Sequence, residues 1–469
     1  MDDRHSSRFR AIGLTFVLAT LCCTLSLLLL DGASRDASAQ SPRLQGQGTA
    51  ASGMGNAFTA QADDASAIHY NPAGMTQLHG IEVMVGTMAI GGSTDFVNNA
   101  GQTARSDRNG TFAWPAPSHL YIAARLQDLG VTALGDLSLG LGVNNPFGSI
   151  TRSPNDGPYQ SVSRLNALPL IDIKPTLAYR VNDQLAFGLG ADIYTFSSMF
   201  GEGHAEYKFG WPGGSGIPAG TPMEFNGKDT AAGFNVSMLY TPFRNDAGLP
   251  LVNIGLVYRS QATLHLDGNF LANGAKIADA QSTLVLPQVY SLGVALWPVR
   301  TPSREWKLEF DLDYVGWKSV RNLDVRLSTG SVLPQPKNWE SGYTVMIGTE
   351  YRFRQIDALP GYEIALRAGY QGQQAQMPNS TFDPGIAAAN THIPSIGIGF
   401  LCKEGGRFLG MFACGGDRGG LRPQYVAVDL SYQAVFYEDR TILGNIRPEV
   451  NGRYSTFIHA AGMGIRMGF

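Results

Sequence analysis

The amino-acid sequence predicts an all-β protein, a transmembrane antiparallel β-barrel of about fourteen strands with a small N-terminal plug, or hatch, in its lumen. Only 16% of the 469 residues are charged, well below the roughly 25% of ordinary soluble domains. Beyond residue 30, however, the sequence contains no long apolar run, so helical membrane spans are a poor fit. Short segments of alternating hydrophobicity recur instead, which is typical of a membrane barrel.

Residues 1–39 are predicted to be a secretory signal peptide. Three arginines precede an apolar run from Ala11 to Leu30, and Ala37-Ser-Ala39 offers a cleavage site of small residues. We therefore expect an exported protein whose mature chain begins near Gln40. Because the apolar run is longer than an ordinary signal core, an uncleaved membrane anchor remains the alternative.

Residues 40–80 are predicted to fold as a compact plug of short pieces, because glycine, turn and cap residues suit neither a strand nor a long helix. The glycines permit close backbone approach, and an aspartate at 63 or 64 can cap a short helix. Asn71 followed by proline suits the start of the next helix, which Gly74 is expected to limit to little more than a turn. The residues assigned to the plug and its gating are Gly53, Gly55, Asp63, Asp64, Asn71, Pro72, Ala73 and Gly74.

Residues 81–469 are predicted to form the barrel. From Ala461 to Phe469 every second residue is apolar and the residues between are glycine or arginine, which gives one lipid-facing and one lumen-facing row. The stretch from Trp306 to Tyr314 alternates in the same way, with charged residues on the inner row. The predicted strands span residues 81–91, 118–126, 137–148, 167–181, 185–199, 230–241, 251–267, 282–297, 306–319, 342–353, 362–373, 392–401, 424–438 and 453–469.

Connection lengths predict the orientation of the barrel, because outer-membrane barrels have short periplasmic turns and long outer loops. Short turns at 181–184, 243–250 and 299–305 alternate with long polar stretches, which puts both chain ends on the periplasmic side. The stretch from Cys402 to Gln424 is an exception because it is long where a short turn is due. In an oxidising compartment Cys402 and Cys414 are expected to form a disulfide, with free thiols as the alternative.

The sequence offers no convincing catalytic or metal-binding constellation. Its eight histidines are scattered singly, and it has neither a G-x-S-x-G elbow nor an H-E-x-x-H pair. We therefore predict no catalytic residue, no metal site and no cofactor, and the net charge of -3 argues against nucleic acid as a partner. Inward-facing charges are expected to hold the plug, unless they merely solvate the lumen. They are Asp192, Lys307, Glu309, Asp311, Glu350, Arg352, Arg367, Asp429 and Arg466.

The N-terminal stretch resembles the FadL-type outer-membrane proteins, which transport long-chain fatty acids and other hydrophobic compounds. Gly53-x-Gly55, Ala62-Asp-Asp-Ala65 and Asn71-Pro-Ala73 follow one another in the order typical of that family. Further segments extend the resemblance over nearly the whole mature chain, and these are 286–293, 314–317 and 366–370. The resemblance implies the same strand number and a location in the outer membrane.

The function implied by the resemblance is passive uptake of hydrophobic molecules such as fatty acids or aromatic hydrocarbons. The expected partners are that hydrophobic ligand together with the lipid and lipopolysaccharide of the outer membrane, and the expected unit is a monomer. The alternatives are a barrel enzyme, such as a lipase or protease, and a general porin. Ion conductance distinguishes the last of these, since an open pore conducts steadily and a plugged one does not.

Two further elements of the pathway rest partly on the resemblance. Pro146 cannot donate to a ladder, and the third strand of the family is kinked to leave an opening in the wall, so cargo is expected to exit sideways there. Exposed aromatic residues on the outer loops 200–229 and 268–281 suggest a capture surface, with self-packing of the loops as the alternative. The lateral opening comprises Asn144, Asn145, Pro146, Phe147 and Gly148, and capture is assigned to Phe209, Trp211, Phe225, Phe270 and Leu271.

Overall fold

Fourteen antiparallel strands of the described residues form a closed barrel. The structure is a computed structural model that describes residues 43–108, 116–199, 201–386, 389–410, 412–416 and 422–469. The predicted signal peptide lies outside the described residues. In chain order the barrel strands are β1 (Ile81–Asn98), β2 (Ser118–Arg125), β3 (Leu137–Asn144), β4 (Leu170–Arg180), β5 (Leu185–Phe196), β6 (Ala231–Arg244), β7 (Pro250–Arg259), β8 (Val289–Arg300), β9 (Arg304–Val315), β10 (Gly342–Phe353), β11 (Tyr362–Gln373), β12 (Thr391–Cys402), β13 (Tyr425–Tyr437) and β14 (Gly452–Gly468).

Pairing of the last strand with the first closes the barrel. Glu82 lies opposite Gly468 and Asn98 lies opposite Gly452, so the contact runs along most of both strands. Closure leaves no sheet edge, which matters because the hydrocarbon of a bilayer offers unpaired backbone groups no hydrogen-bond partner. The predicted fold class and strand number are confirmed.

Burial alternates along the strands as the sequence predicts. In β14, Ala461 and Met463 are exposed on the outside of the barrel, whereas Gly462 and Gly464 are buried on the inside. In β9 the acids and the lysine are buried, and Trp306 is exposed on the outside. Lipid-facing apolar rows and a polar or glycine-lined lumen therefore coexist on the same strands.

Several predicted strands are wrong in extent. The first was expected to end at 91 but continues to Asn98, and the eighth was expected from 282 but begins at Val289. The third was expected to span 137–148 but ends at Asn144, because Pro146 lacks the amide hydrogen that would continue the ladder. The seventh was expected to span 251–267, but β7 ends at Arg259 and the chain begins a separate strand at Ala262. This strand pairs with Ala275–Leu286. Because apolar and polar residues alternate both before and after this junction, the sequence does not show where the chain changes the strand with which it pairs.

Additional short strands extend the sheet on the side of the long connections. They are Thr103–Arg108, Ser149–Arg152, Leu165–Leu168, Ala205–Gly210, Pro222–Lys228, Ala262–Ala272, Ala275–Leu286, Val325–Leu327, Val332–Leu333 and Arg440–Ile442. A large cluster of buried apolar side chains packs among them. The outer region is therefore an ordered structure with its own core, and long loops of this kind mark the extracellular side.

The plug, residues 43–80, lies inside the barrel and consists of short helical pieces. Two α-helices, α1 (Thr49–Gly53) and α2 (Ala67–Tyr70), precede a 3-10 helix from Pro72 to Gln77. Nearly all side chains of the segment are buried. Among the described residues, no helix has the length and hydrophobicity that a membrane span requires.

Candidate functional site

Two acidic side chains of β9 hold the plug through its backbone amides. Phe58 and Thr59 each donate an N–H to Asp311 Oδ2 at 2.8 Å. The N–H of Ala60 donates to Glu309 Oε1 at 2.6 Å. All five residues are buried, and a buried N–H left without an acceptor would cost about 1 to 3 kcal/mol. These bonds therefore hold the plug in addition to its apolar contacts with the wall.

A chain of ion pairs connects the plug to several barrel strands. Lys307 Nζ lies 2.8 Å from Asp63 Oδ2 and 2.9 Å from Glu350 Oε1. Arg367 lies 2.6 Å from both Glu350 and Asp429. These inward charges form one network that reaches the plug at Asp63, which supports the expectation that they hold it in place.

Two other inward charges reach the plug at different points. Arg466 Nη1 lies 3.9 Å from Asp64 Oδ2. Asp192 acts through Arg259, whose Nη1 lies 2.7 Å from the carboxylate and whose Nη2 donates to the carbonyl oxygen of His69 at 3.0 Å. The plug is therefore bound on several sides by charged groups.

The two glycines of the G-x-G stretch are needed for close packing against β11 and β12. Gly55 has a φ of +66°, and a Cβ there would lie 2.6 Å from the backbone nitrogen of Tyr370. A Cβ on Gly53 would lie 2.9 Å from the Cα of Gly397. Only glycine combines this φ with so close an approach, so any larger residue would push the plug away from the wall.

Asn71 connects three parts of the molecule. Its Oδ1 accepts from the N–H of Ala73 at 3.1 Å and so caps the 3-10 helix. Its Nδ2 donates to the carbonyl oxygen of Thr59 at 2.8 Å and to that of Met238 in β6 at 3.1 Å. Pro72 occupies the first helical position, where a missing N–H costs nothing. One side chain thus joins both halves of the plug to the wall.

Two expectations about the plug were wrong in detail. Gly74 lies inside the 3-10 helix and does not end it; a Cβ there would approach the carbonyl oxygen of Ala62 to 2.4 Å, so packing explains the glycine. Neither aspartate caps a helix, since Asp64 Oδ1 accepts from the N–H of Ser66 at 2.9 Å in the turn before α2. Asp63 bonds to Lys307 instead.

The barrel wall is interrupted directly after β3, in the segment predicted to form the lateral opening. The carbonyl oxygen of Pro146 accepts from the N–H of Leu44 at 2.8 Å, so the start of the plug runs along the break. Asn145 spans the break with its side chain. Its Oδ1 accepts from the N–H of Ser118 at 3.1 Å, and its Nδ2 donates to the carbonyl oxygen of Leu170 at 2.9 Å. These side-chain hydrogen bonds replace the backbone hydrogen bonds that a longer β3 would make with β2 and β4.

Polar groups of the plug line the inner side of this break. Gln47 Nε2 donates to the carbonyl oxygen of Asn145 at 2.9 Å, and Gln47 Oε1 accepts from the same residue's N–H at 3.2 Å. Asn144 Nδ2 lies 3.1 Å from His69 Nδ1 and 3.0 Å from the hydroxyl of Tyr121. The plug therefore covers the break from the lumen side.

Buried aromatic rings connect the break with the outer region. The centroids of Phe147 and Trp317 lie 6.1 Å apart, and those of Trp317 and Trp339 lie 5.2 Å apart. All three belong to the apolar cluster of the outer strands. A Cβ on Gly148 would lie 3.1 Å from the carbonyl oxygen of Leu168, which keeps the chain close to its outer neighbour just beyond the break.

A cavity of about 100 Å³ lies among the outer strands. Engineered apolar cavities of about 150 Å³ bind benzene, so this space suits a ring or a few methylene groups. Its walls also contain Lys337 and Asp383, whose Nζ and Oδ2 atoms lie 2.6 Å apart. Sequence reasoning missed this pair because the two residues lie on different outer connections and form no motif. Apolar walls are supplied by Leu168, Phe225, Leu284, Val325, Trp339 and Ile386.

The predicted exposed capture surface is wrong for the phenylalanines. Phe209, Phe225 and Phe270 are buried, while Trp211 and Leu271 are only partly exposed. The reason is that the strand containing Phe225 pairs on both sides, with Ala205–Gly210 and with Ala262–Ala272, so their aromatic residues pack on one another. Phe225 lines the outer cavity.

One group of side chains on the outer strands has the geometry of a cation site. Ligand atoms of His204, Glu206 and Glu224 lie within 4.8 Å of one another. Lys208 Nζ lies 3.2 Å from a carboxylate oxygen of each glutamate. The Lys208 ammonium is therefore a counterion that the chain itself supplies to the two glutamates.

The long periplasmic connection after β12 contains the cysteine pair. Cys402 and Cys414 are joined by a disulfide with their Cα atoms 6.0 Å apart, and both are buried. Between them the chain forms a short hairpin of Arg407–Phe408 and Phe412–Ala413. An ordered, crosslinked hairpin therefore occupies the position where a short turn was due.

Comparison with known proteins places this barrel in a family. The sequence profile of the outer membrane protein transport protein family (OMPP1/FadL/TodX) matches residues 33–405. The chain belongs to this family. It is therefore a transport protein of the outer membrane and not an enzyme, which confirms the predicted class and location.

Relatives of this FadL/TodX family member include transport proteins of known name. The long-chain fatty acid transport protein of Escherichia coli K12 is 23% identical over 347 residues, which cover 64% of this chain and 73% of that protein. The crystal structure of a Pseudomonas aeruginosa FadL homologue has a TM-score of 0.70 at 15% identity and covers 92% of this chain and 100% of its own. The Pseudomonas putida toluene transporter TodX has a TM-score of 0.61 at 16% identity, with coverage of 92% and 100%. The two structures share the fold of this family member.

Proposed function

We propose that this family member is a passive, plugged channel for uptake of hydrophobic molecules such as long-chain fatty acids or aromatic hydrocarbons. The named relatives are a long-chain fatty acid transport protein and a toluene transporter. An apolar cavity of ring size among the outer strands supports cargo of this class. Cargo would move down its concentration gradient, with the plug closing the lumen to water and ions.

The observation that carries the proposed route is the interruption of the wall after β3. Each buried methylene of a cargo molecule contributes about 0.8 kcal/mol, so a long acyl chain would resist release into periplasmic water. Passage through the lumen would also bring it against the polar plug and its ion pairs. Sideways exit into the bilayer keeps its apolar surface out of water throughout.

The proposed path follows the aromatic rings between the outer cavity and the break. Trp339 lines the cavity, Trp317 contacts it, and Phe147 contacts Trp317 at the break itself. Opening requires Asn145 to release its two neighbouring strands and Leu44 to release Pro146. A movement of the start of the plug would therefore gate the exit.

A reversible crosslink across the break tests this route. Ser118→Cys and Asn145→Cys introduce two thiols into residues that the hydrogen bond from the N–H of Ser118 to Asn145 Oδ1, at 3.1 Å, holds next to each other. Oxidation should abolish uptake of labelled fatty acid or toluene by cells, and reduction should restore it. The control is Leu120→Cys with Val143→Cys, which are paired partners in the intact part of β2 and β3. Uptake that is indifferent to the first crosslink would mean that cargo leaves through the lumen.

We further propose that the barrel works as a monomer surrounded by outer-membrane lipid and lipopolysaccharide. The sheet closes within one chain, and its outward rows are apolar, as lipid contact requires. Light scattering of the protein in lipid nanodiscs should give the mass of one chain. A stable dimer or trimer would contradict the proposal.

A further inference from the structure

Although the walls of the outer cavity are mainly apolar, they contain a buried ion pair. Lys337 Nζ lies 2.6 Å from Asp383 Oδ2, and each side chain is only 6% exposed. Glu206 also lines this cavity, and its carboxylate lies 3.2 Å from Lys208 Nζ. The acids and the lysine of the cavity are therefore already matched within the chain.

Both members of the pair are held in place by their surroundings. Asp383 Oδ1 accepts from the N–H of Gly385 at 2.9 Å. Lys337 donates its backbone N–H to the carbonyl oxygen of Arg321 at 2.8 Å, and its own carbonyl oxygen accepts from the hydroxyl of Thr381. Burial opposes ionisation of Asp383, but the Lys337 ammonium outweighs it and holds the pKa of that carboxyl below its usual value. The pair is thus charged and preorganised at neutral pH.

This arrangement treats charged and uncharged cargo differently. A carboxylate could bind Lys337 only by displacing Asp383, which would leave a buried carboxylate without its partner, and breaking one side of a buried pair is strongly unfavourable. An uncharged molecule fills the apolar part of the cavity and leaves the pair intact. We propose that the Lys337–Asp383 pair makes the outer cavity selective for uncharged apolar molecules over carboxylates. This inference rests on the proposed function and narrows the cargo that this cavity accepts to the uncharged members of that class, such as aromatic hydrocarbons.

Binding of three ten-carbon probes, whose polar end and first few methylene groups are the part that the cavity can hold, to the purified protein in lipid nanodiscs tests the inference. Decanol, decanoate and decylammonium are compared by calorimetry at pH 8, where the carboxylic acid is ionised because its pKa is about 4 to 5. The wild-type protein should bind decanol about tenfold more tightly than decanoate or decylammonium, which corresponds to about 1.4 kcal/mol. Decanoate binding as tight as decanol binding would overturn the inference.

Two single substitutions should shift the selectivity in opposite directions. Asp383→Asn leaves Lys337 without its carboxylate, so decanoate affinity should rise about tenfold or more while decanol affinity stays within about twofold. Lys337→Gln should raise the affinity for decylammonium instead. Heat-modifiable gel migration reports whether each variant folds. If one variant fails to fold, the other still tests the role of the pair. Unchanged ratios in the folded variants would refute the role of the pair.

The outcome also separates this inference from the proposed function. Decanoate bound better than decanol by the wild-type protein would leave hydrophobic transport in place and remove the charge selectivity. Failure of all three probes to bind any folded variant would refute both the cavity's role in transport and the inference drawn from it. The double variant Lys337→Gln with Asp383→Asn is the matched control, since it keeps the shape of the cavity without the charges of the pair and should bind decanol as the wild type does.

Discussion

Asp311 and Glu309 are buried carboxylates that accept hydrogen bonds from backbone amides of the plug. Burial of an ionised carboxylate is costly unless hydrogen bonds compensate, and here the compensating donors come from another part of the chain. Apolar side chains of the plug, such as Ile68 and Met75, also pack against the wall, but apolar contacts are non-directional. Individual polar side chains therefore decide where it sits.

Asn71 is the residue whose loss should loosen the plug most selectively. Asn71→Ala removes a helix cap and two bonds to carbonyl oxygens, and a lost cap costs about 1 kcal/mol. Uptake of hydrophobic cargo should fall several-fold, while the folded band in heat-modifiable gel migration persists, because strand pairing does not depend on the plug.

The matched control is Asn182→Ala in a periplasmic turn. Asn182 Oδ1 accepts from the N–H groups of Gln184 and Leu185 at 2.8 and 3.0 Å, so its loss removes the same kind of bond away from the plug. This control should leave uptake unchanged. Disappearance of the folded band in the Asn71 variant would show that the plug nucleates the barrel.

At the scale of elements, β3 shows how one proline interrupts the barrel wall. The strand ends two residues before Pro146, and the side chain of Asn145 takes over the bonds that a continuing ladder would have made. Side-chain hydrogen bonds can be released one at a time, whereas a ladder is cooperative. An interruption of this kind is therefore suited to opening.

The crosslinked hairpin after β12 yields a second test at this scale. Thiol labelling of the folded protein without reductant should leave Cys402 and Cys414 unmodified, because the disulfide consumes both thiols. The bond closes a loop with a sequence separation of 12, and loops of this size gain on the order of 3 kcal/mol in the chain-entropy model. A reduced and unfolded sample, in which both residues label, serves as the control. Full labelling of the folded protein would show free thiols.

At the scale of the whole molecule, a closed sheet surrounds a plug held by charges. The sheet needs no contribution from the plug to satisfy its backbone, since every barrel strand has two neighbours. The plug, in contrast, depends on inward side chains from many strands. Blocking of the lumen and integrity of the wall are thus separate properties of one chain.

Ion conductance measures directly how well the plug blocks the lumen. The wild-type protein in a planar bilayer should show no steady conductance, whereas a combined Glu309→Gln and Asp311→Asn variant should show frequent openings. Each substitution replaces a carboxyl acceptor of the plug's backbone N–H groups by an amide, and disturbing a buried hydrogen bond of this kind costs about 1 to 2 kcal/mol.

The control for that variant is Asp136→Asn, which weakens an ion pair with Arg125 at 2.6 Å in a periplasmic turn. It should conduct no more than the wild type. Steady conductance by the wild-type protein would favour a general porin, and an unchanged double variant would show that other contacts hold the plug.

Only part of the candidate site could be predicted from sequence. Pro146 marks the break in β3 because a missing N–H is a local property that one residue carries. The capture residues Phe209, Phe225 and Phe270 were expected on the surface and are buried, because burial depends on which strands pair. The Lys337–Asp383 pair left no sequence signal, since its members lie 46 residues apart on separate connections.

The sequence by itself determined the barrel and its strand number, and it predicted the orientation and the plug. Alternation of apolar and polar residues along each strand is a short-range pattern, and a strand between lipid and lumen must carry it. The tertiary structure alone decided which inward charges reach the plug, where β7 gives way to an outer hairpin, and which outer side chains line the cavity. These features depend on contacts between segments far apart in the chain, and no local pattern encodes such contacts.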